Sequence, residues 1–374
     1  MFIDISVIQP LPSSNPNRDD TGSPKSAVFG GVRRHRVSSQ AWKRAVRTRF
    51  DQEIDHAYLG VRTKRAVELV AQKIEELAPD LADDAASMAE SVFSVAGIKV
   101  ETPKVKKDED PAKYKQVTYL FFLSNAQIEA VAQLAIDKKQ SGEKLSKKEA
   151  QSVIDGRNSI DLALFGRMVA DDPSLNVDAS CQVAHAISTH AVETEFDYFT
   201  AVDDQKRLDD SADAGAGMIG TVEFVSSCLY RYATINVKQL LENLEDEQDV
   251  RVAIEAFVRA FVMSMPSGKA NTFANHSLPS GVYVALRDDQ PISLAAAFEK
   301  PVRPGPGYGY VEGSAQALVD YAQALYAAYD APDKQYVCVA DQAASCLETL
   351  GEKVALKDLA KAVAEASLPR SEQA

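Results

Sequence analysis

The spacing of apolar residues changes once along the chain, and this change limits the possible folds more than any other feature. Residues 62–168 place apolar side chains at helical spacing, most clearly in 63–77 and 125–139. Beyond about Gln182 the period becomes two, as in half-buried strands. A chain that carries both periods in separate blocks is typical of the α+β class, with helices segregated from a sheet.

The remaining pattern predicts a small sheet that is split by inserts. Residues 2–8 alternate like a first strand of about seven residues, and 11–31, rich in Pro, Ser, Asn and Gly, predict a long loop. A helix is expected from Ser38 or Ser39, both good N-caps, to about Tyr58. The later predicted elements are a hairpin of 184–202 and 220–237 with a mobile tip, a helix at 246–263, a strand at 280–288, a helix at 313–329 and a strand at 335–340. This order suits a ferredoxin-like or RNA-recognition-like sheet.

The charge is distributed unevenly. The net charge of −13 by itself argues against a nucleic-acid partner. Between Thr21 and Phe50, however, there is no Asp or Glu, and eight Lys and Arg residues give this segment a charge of +8. Since the whole chain carries −13, the other 344 residues carry −21. A concentrated basic patch on an acidic body favours RNA or DNA binding, and a basic helix that pairs with its own protein is the alternative.

The basic segment also carries suitable hydrogen-bond donors. Arg33, Arg34 and Arg36 approach a helix start, where free backbone N–H groups favour an anion. Apolar residues four apart, from Trp42 to Phe50, form a stripe on this helix and leave a separate polar face. The candidate RNA-binding residues here are Arg33, Arg34, Arg36, Ser38, Gln40, Lys43, Arg44 and Arg47.

Aromatic residues beside the polar hairpin loop are a second candidate feature. Tyr198 and Phe199 follow one another, so they point to opposite faces of a strand. Next to a phosphate track such side chains can stack on bases or wedge between them. Met168 and Ile219 are candidates for the same wedge. Ordinary hairpin or core packing is the alternative for all four.

A second basic cluster lies in the helical block. Its members are Lys138, Lys139, Lys144, Lys147 and Lys148. A solvated helix face is the simplest interpretation of such a run. Contact with a second nucleic-acid strand is the alternative.

No catalytic arrangement is apparent. There is no GxxxxGK[ST] phosphate loop, and the glycines of 305–309 lie among prolines, which favours a surface loop. His35, between arginines, is better suited to a solvent-facing phosphate contact than to a proton shuttle. Asp19-Asp20 and Asp203-Asp204 are of the kind that cap turns. We therefore expect neither an enzyme nor a cofactor.

Metal, disulfide and membrane features are not expected either. His185 and His190 are five apart in a predicted strand and should face opposite sides, which does not favour a joint metal site. The four cysteines form no CxxC pair and are expected to be buried thiols. No run of about 18 apolar residues and no basic leader occur, so a cytoplasmic protein is expected.

Several segments together resemble a known family. Residues 17–47, NRDDTGSPKSAVFGGVRRHRVSSQAWKRAVR, resemble the N-terminal signature of the CasC family, the backbone subunits of the type I-E CRISPR complex called Cascade. The likeness continues through 165–168, 184–204, 220–236 and 297–300. It is weaker in the helical insert, in 301–310 and in the C-terminal helices.

The resemblance implies a hand-like protein. A palm with an RNA-recognition-like sheet would carry helical fingers and a β-hairpin thumb. The implied divisions are palm at 1–58, fingers at 59–181, palm at 182–192, thumb at 193–223, and palm with C-terminal helices at 224–374.

The resemblance also implies a function. Six copies would stack head to tail along one crRNA, kink it at regular intervals and present it to target DNA, together with CasA, CasB, CasD and CasE. The implied phosphate track is Arg18, Lys25, Ser38, Gln40, Lys43, Arg44 and Arg47. The implied kink residues are Met168, Tyr198, Phe199, Thr200 and Ile219, and the lysine cluster would touch target DNA. Val32 lies where a further basic residue is expected.

Two other functions remain open at this point. One is a metal-independent CRISPR RNA-processing endoribonuclease with His35 as its base, although a partner base is lacking. The other is a protein scaffold that binds no nucleic acid.

Overall fold

The computed structural model describes residues 1–104, 112–169, 171–201, 218–304 and 309–368. Its strands are β1 Phe2–Ser14, β2 Ser26–Phe29, β3 Val32–Val37, β4 Gly60–Thr63, β5 Val100–Glu101, β6 Gln116–Val117, β7 Phe121–Ser124, β8 Cys181–Val183, β9 Ala186–Ser188, β10 Glu195–Ala201, β11 Met218–Asn236, β12 Gly281–Arg287, β13 Lys334–Val339 and β14 Glu352–Lys353. Its α-helices are α1 Ser39–Glu53, α2 Ala66–Leu77, α3 Ala85–Ala96, α4 Asn125–Ser141, α5 Lys147–Asp155, α6 Ile160–Phe165, α7 Val237–Leu244, α8 Glu247–Met263, α9 Ala270–Phe273, α10 Tyr310–Ala328 and α11 Leu356–Ser367. Short 3-10 helices occur at His56–Tyr58, Pro79–Leu81, Pro173–Leu175, Leu294–Phe298 and Gln342–Thr349.

The first compact unit consists of Met1–Arg49, Val183–Thr234 and Phe257–Ser367. Its sheet has the strand order β14-β13-β12-β1-β11-β9-β3-β2, and β10 also pairs with β11. β1 and β12 are antiparallel, as are β12 and β13.

β1 lies in the middle of this sheet because it can be buried on both faces. The apolar residues from Ile3 to Ile8 are fully buried. Asp4, which is 4% exposed, is satisfied by hydrogen bonds to its carboxylate from the Tyr232 hydroxyl at 2.7 Å and the Ile292 N–H at 2.8 Å. The predicted N-terminal strand is confirmed and is longer than expected.

The predicted loop at 11–31 is wrong over part of its length. β1 continues to Ser14, and β2 and β3 form an antiparallel hairpin from Ser26↔His35 to Phe29↔Val32. Gly30 and Gly31 make the two-residue turn with φ values of 59° and 75°. Both positive values fit a type I′ turn, which glycine adopts without strain. The sequence did not indicate this hairpin, because Pro, Ser, Asn and Gly residues around it are typical of a loop.

Downstream elements follow the predicted pattern. The predicted hairpin is present as β10 and β11, but β9 and β10 are separate strands rather than one. The hairpin tip lies outside the described residues, so its mobility stays a prediction. The predicted helix at 246–263, strand at 280–288, helix at 313–329 and strand at 335–340 are confirmed as α8, β12, α10 and β13. α1 ends at Glu53, earlier than predicted, and a short 3-10 helix follows.

The second compact unit consists of Phe50–Gln182, Ile235–Ala256 and Leu368–Ala374. It is mainly helical, as predicted for 62–168. α2, α3, α4 and α5 enclose a core that includes Val70, Ile74, Phe93, Phe121 and Val131. Two small sheets, β4 with β7 and β5 with β6, lie in the same unit.

The α+β class is therefore confirmed. The ferredoxin-like or RNA-recognition-like description stays a prediction, as do the palm, fingers and thumb boundaries. The compact units differ from those boundaries in that residues 50–58 and 235–256 group with the helical unit and not with the sheet.

Candidate nucleic-acid interface

The basic segment of the first unit forms the β2–β3 hairpin and helix α1. Helix α1 is well anchored: its buried residues Trp42, Val46 and Phe50 are at most 1% exposed, which confirms the predicted stripe. The carbonyl of Ser38 accepts the first helical bonds, from the N–H groups of Ala41 and Trp42. The opposite side of the helix therefore faces outward.

The predicted phosphate-binding residues differ in exposure. The exposed ones are Arg18, Arg33, Gln40 and Arg44. The half-buried ones are Lys25, Arg36, Lys43 and Arg47. Ser38 is 5% exposed, and its N–H donates to the Asn17 side-chain oxygen at 2.8 Å. Gln40 and Arg44, one helical turn apart, give α1 an exposed polar and basic edge.

Arg231 lies beneath this helix. Its guanidinium carbon is 3.8 Å from the ring centroid of Trp42 and 4.6 Å from that of Phe261. Nη1 donates to Gln9 Oε1 at 2.6 Å, and Nη2 donates to the carbonyl oxygen of Phe261. Burial lowers the pKa of Arg231 to about 9. The sequence pattern gave no sign of this contact, because Arg231 stands between two tyrosines of β11, far in sequence from Trp42.

Arg34 is a correction to the predicted RNA-binding set. It is fully buried, and its guanidinium donates to the carbonyl oxygens of Phe29 at 3.1 Å, Ser188 at 3.1 Å and Phe298 at 2.7 Å. Burial also lowers its pKa. Arg34 ties the β2–β3 hairpin to neighbouring segments of the same unit, so its donors are already used and do not face a ligand.

His35 is a second correction. It is 1% exposed, and its Nδ1 lies 2.9 Å from Ser227 Oγ. Burial, with a smaller contribution from nearby His190, lowers the pKa of His35 to about 4. A solvent-facing phosphate contact is therefore wrong for this residue. Burial equally removes it from the surface on which a substrate would have to bind.

Arg33 and Arg36 remain at the surface of the hairpin. Arg36 is partly engaged, through Nε to the Ser26 carbonyl at 3.2 Å and Nη1 beside His185 Nδ1 at 3.1 Å. Arg33 lines an open groove of about 710 Å³ together with Phe196. The groove places an exposed guanidinium near an exposed aromatic ring, a pair that suits a nucleotide.

The predicted thumb hairpin exposes apolar side chains on both faces. Phe196 and Tyr198, 66% and 64% exposed, lie on one face, opposite Glu223 and Thr221. Ile219, 61% exposed, pairs with Thr200 on that same face. Phe196 was not among the predicted residues, although the alternation in 195–200 could have indicated it.

Phe199 lies on the other face and is half-buried. It pairs with Gly220, and a Cβ at that glycine would clash with the Phe199 ring. The ring therefore covers the glycine backbone, which stabilises the hairpin at a position without a side chain. The predicted separation of Tyr198 and Phe199 onto opposite faces follows from this register.

Met168, in the second unit, is 82% exposed on a fixed backbone. Arg167 and Val177 exchange two backbone hydrogen bonds of 2.9 Å. The guanidinium of Arg167 is buried and donates to the carbonyls of Leu175 at 2.8 Å and Ile154 at 3.2 Å. The core alternative for Met168 is therefore wrong, because its side chain faces solvent.

The lysine cluster, also in the second unit, is largely paired. Lys138 contacts Glu149 at 2.8 Å and Glu143 at 3.0 Å. Lys139 pairs with Asp84 at 2.7 Å, and Lys147 pairs with Asp172 at 3.0 Å. Lys144 and Lys148 are exposed and form no ion pair with the residues that the structure describes. These two are the better candidates for an external anion.

Other predicted features have simpler outcomes. Asp19 caps a turn, as expected: its side chain accepts hydrogen bonds from Thr21 and Ser23, and the bond from the Thr21 hydroxyl contributes most to lowering its pKa. Asp203-Asp204 and residues 305–308 of the Pro/Gly loop lie outside the described ranges. Cys181 and Cys228 are buried, whereas Cys338 and Cys346 are half-buried. Within the described part of the chain, no three His, Cys, Asp or Glu side chains cluster as a metal site would require.

None of the helices among the described residues is both long and apolar enough to cross a bilayer.

The chain is similar to one protein family and to chains of solved structures. The chain matches the family described as CT1975-like protein over residues 3–362. A chain of a solved structure described as "CRISPR RNA-guided surveillance complex, pre-nicking" is 36% identical, with a TM-score of 0.83, and the match covers 98% of this chain and 100% of that one. A chain of a "CRISPR RNA-guided surveillance complex" is 32% identical, with a TM-score of 0.73, and the match covers 98% of this chain and 100% of that one. No curated protein sequence matches.

These matches confirm the resemblance that the sequence motifs indicate. The chain belongs to the CT1975-like protein family and shares its fold with subunits of CRISPR RNA-guided surveillance complexes.

Proposed function

We propose that this protein is the crRNA-binding backbone subunit of a type I-E surveillance complex, the role of the CasC family. The observation that carries the proposal is the exposed basic edge of α1, anchored from below by the stack of Trp42 on Arg231. Positive charge on a fixed helix binds a phosphate backbone without reading its sequence. A subunit that must hold any guide requires this kind of contact.

The thumb supplies the second part of the proposed function. Large exposed hydrophobic side chains mark binding surfaces. They occur at Tyr198 and Ile219 in the thumb and at Met168 in the second unit. We infer that they separate bases of the guide and kink it at regular intervals. Base pairing with target DNA, not protein contact, then provides sequence recognition.

The assembly follows from the same role. Copies of the chain, six in the type I-E arrangement, stack head to tail on one guide, since a heterologous interface that does not close generates a helical array. CasA, CasB, CasD and CasE complete the complex, which is cytoplasmic. Lys144 and Lys148 are proposed to touch target duplex DNA.

The proposed role is not catalytic. The alternative, an RNA-processing endoribonuclease, depended on His35 as a base. That residue is 1% exposed and hydrogen-bonded to Ser227, so it offers no accessible ring to a ribose hydroxyl. No described feature favours the enzyme over the binding subunit.

Two measurements test the proposal. Purified protein should carry short RNAs of uniform length, visible as a raised absorbance ratio at 260 and 280 nm and as a single band after extraction. The same protein, incubated with CRISPR repeat RNA, should bind it and leave it uncut. Protein free of RNA that also fails to bind guide RNA would point to a scaffold, and metal-independent cleavage would point to the processing enzyme.

A further inference from the structure

A second segment without acidic residues occurs far from the basic one in sequence. Between Glu255 and Asp288 the chain has no Asp or Glu, although these residues make up 54 of the 374. The segment contains Arg259, Lys269 and Arg287. The basic segment at 21–50 also lacks acidic residues over a similar length, which is unusual in so acidic a protein.

Within the first unit, the structure places the second acid-free segment against the loop that precedes the first. Gly268 packs so closely against the loop before the β2–β3 hairpin that a Cβ there would clash with the backbone carbonyl of Pro16. The neighbouring Asn15 is fully buried and donates to the carbonyls of Gly22 at 3.0 Å and Glu223 at 2.9 Å. The same loop carries Arg18, which forms a β-bridge with Pro24. The 264–280 loop therefore lies beside the proposed phosphate track.

The backbone of this loop is strained at two positions. Lys269 has a φ of 51° and Ala274 a φ of 48°, so non-glycine residues in the left-handed region stand immediately before and after α9. Such conformations are costly for side chains other than glycine, and they persist where surrounding structure holds them. The rings of Phe273 and Phe224 are in tilted contact, with centroids 5.7 Å apart, which attaches α9 to the base of the thumb hairpin.

The side chains presented by the loop suit a ribose-phosphate backbone. Ser267, Asn271, Thr272 and His276 are exposed, and none of them carries a negative charge. Lys269 is half-buried and has no ion-pair partner among the described residues. Asn275 is 1% exposed, and its Nδ2 finds no hydrogen-bond acceptor in the part of the chain that is described.

We propose that the 264–280 loop is a second contact for the guide RNA, in which Lys269 pairs with a phosphate and Asn271 and Thr272 bind phosphate or 2′-hydroxyl oxygens. The inference rests on the proposed function. It extends the phosphate track from α1, past the loop that carries Arg18, to residues 264–280. The left-handed conformation at Lys269 is retained because a lysine is needed there, whereas glycine would satisfy the backbone alone.

The matched variants Lys269→Gly and Ala274→Gly test this inference. Each relieves a left-handed residue at one end of α9, so neither should lower the melting temperature of the full-length protein. Lys269→Gly should weaken binding to a single-stranded guide RNA about tenfold, the size expected for one charge-assisted contact. It should also reduce the slope of log affinity against log salt by about 0.7. Ala274→Gly should change neither quantity, and Lys269→Arg should restore the slope.

A contact with the 2′-hydroxyl gives a second readout. Asn271→Ala combined with Thr272→Ala should reduce the preference for RNA over DNA of the same sequence. Equal RNA affinity and equal salt slope for Lys269→Gly and Ala274→Gly would overturn the inference. Different results would contradict the proposed function. They are a failure of the unmodified protein to bind guide RNA, or unchanged binding after charge reversal on α1.

Discussion

The guanidinium carbon of Arg231 lies 3.8 Å from the ring centroid of Trp42, which joins strand β11 to the helix that carries the basic face. Arg231 is 1% exposed and forms no ion pair with the described residues. It is held by a ring stack and by hydrogen bonds to Gln9 and the Phe261 carbonyl instead. A buried cation held by uncharged partners both fixes α1 and adds positive charge behind it.

The first prediction concerns this stack. Arg231→Lys keeps the charge but loses the planar stacking and the forked hydrogen bonds, so it should reduce the free energy of unfolding by about 2 kcal/mol. Urea unfolding followed by circular dichroism measures the change. Arg44→Lys, on the exposed edge of the same helix, is the control and should stay within about 0.5 kcal/mol of the parent protein. Equal stabilities for the two variants would show that the stack does not anchor α1.

The second prediction concerns the basic edge of α1. Replacing Lys43, Arg44 and Arg47 together by Glu should abolish guide binding at moderate salt, because three positive charges become repulsive. Replacing the same three by Ala should lower the salt slope by about 2, at about 0.7 per contact. The exposed Lys357 on α11 provides a control, since Lys357→Glu changes charge away from the proposed track. Unchanged affinity with a native circular-dichroism spectrum would contradict the assignment.

The sequence predicted the elements of this fold better than it predicted the environment of individual polar residues. Periodicity alone indicated the helical block, the hairpin strands and α8, because regular burial on one face leaves a regular pattern. It failed at Arg34 and His35, which stand in the run RRHR and look like surface residues. Arg34 is buried because its donors meet three backbone carbonyls, and such partners are not encoded locally.

In the candidate site, too, the sequence predicted the regular elements but not the contacts between distant segments. The stripe from Trp42 to Phe50 predicted which side of α1 faces outward, and the burial of those residues agrees. The contact of Gly268 with the Pro16 carbonyl joins segments about 250 residues apart, and no local pattern indicates it. Ion pairs of Lys138 and Lys139 were equally hidden, because their carboxylate partners come from different elements.

The third prediction concerns pH. The pKa of His35 is lowered to about 4 in the folded protein, mainly by burial, against an ordinary value near 6.5. The unfolded chain therefore binds the proton more readily, and stability falls as pH decreases through this window. Between pH 7 and pH 5 the loss from His35 should be about 2 kcal/mol. Urea unfolding at both values measures it, and His35→Gln should remove most of this difference. An equally steep pH dependence in that variant would assign the effect to other groups.

The fourth prediction separates paired from unpaired lysines. Lys144→Ala with Lys148→Ala should weaken binding of duplex target DNA and leave guide binding unchanged, because these two exposed side chains form no ion pair with residues that the structure describes. Lys138→Ala with Lys139→Ala should have a smaller effect on duplex binding, since their charges are offset by Glu149 and Asp84. Mobility shifts with loaded complex measure both. A larger loss for the second pair would mean that the ion pairs open on DNA binding.

The last prediction concerns the kink residues. The register of the hairpin shows which of them can be replaced without disturbing it. Tyr198 and Met168 are 64% and 82% exposed, so replacing both by Ala removes little buried area and should leave the fold intact, within about 0.5 kcal/mol for each residue. The double variant should still bind short RNA through α1. What should disappear is the regular spacing of protected and reactive nucleotides in a chemical footprint of the assembled complex, because stacked or wedged bases contribute about 1–3 kcal/mol each.

Phe199 provides the comparison for this experiment. Its ring covers Gly220, so Phe199→Ala should loosen the hairpin itself as well as any base contact. Hydrogen exchange in β10 and β11 should therefore increase for Phe199→Ala and stay unchanged for the Tyr198 and Met168 double variant. If the periodic footprint survives in the double variant and is lost only with Phe199→Ala, the kink depends on the Phe199 face of the thumb. If both variants keep it, the wedge lies elsewhere, and the exposed Phe196 is the next side chain to replace.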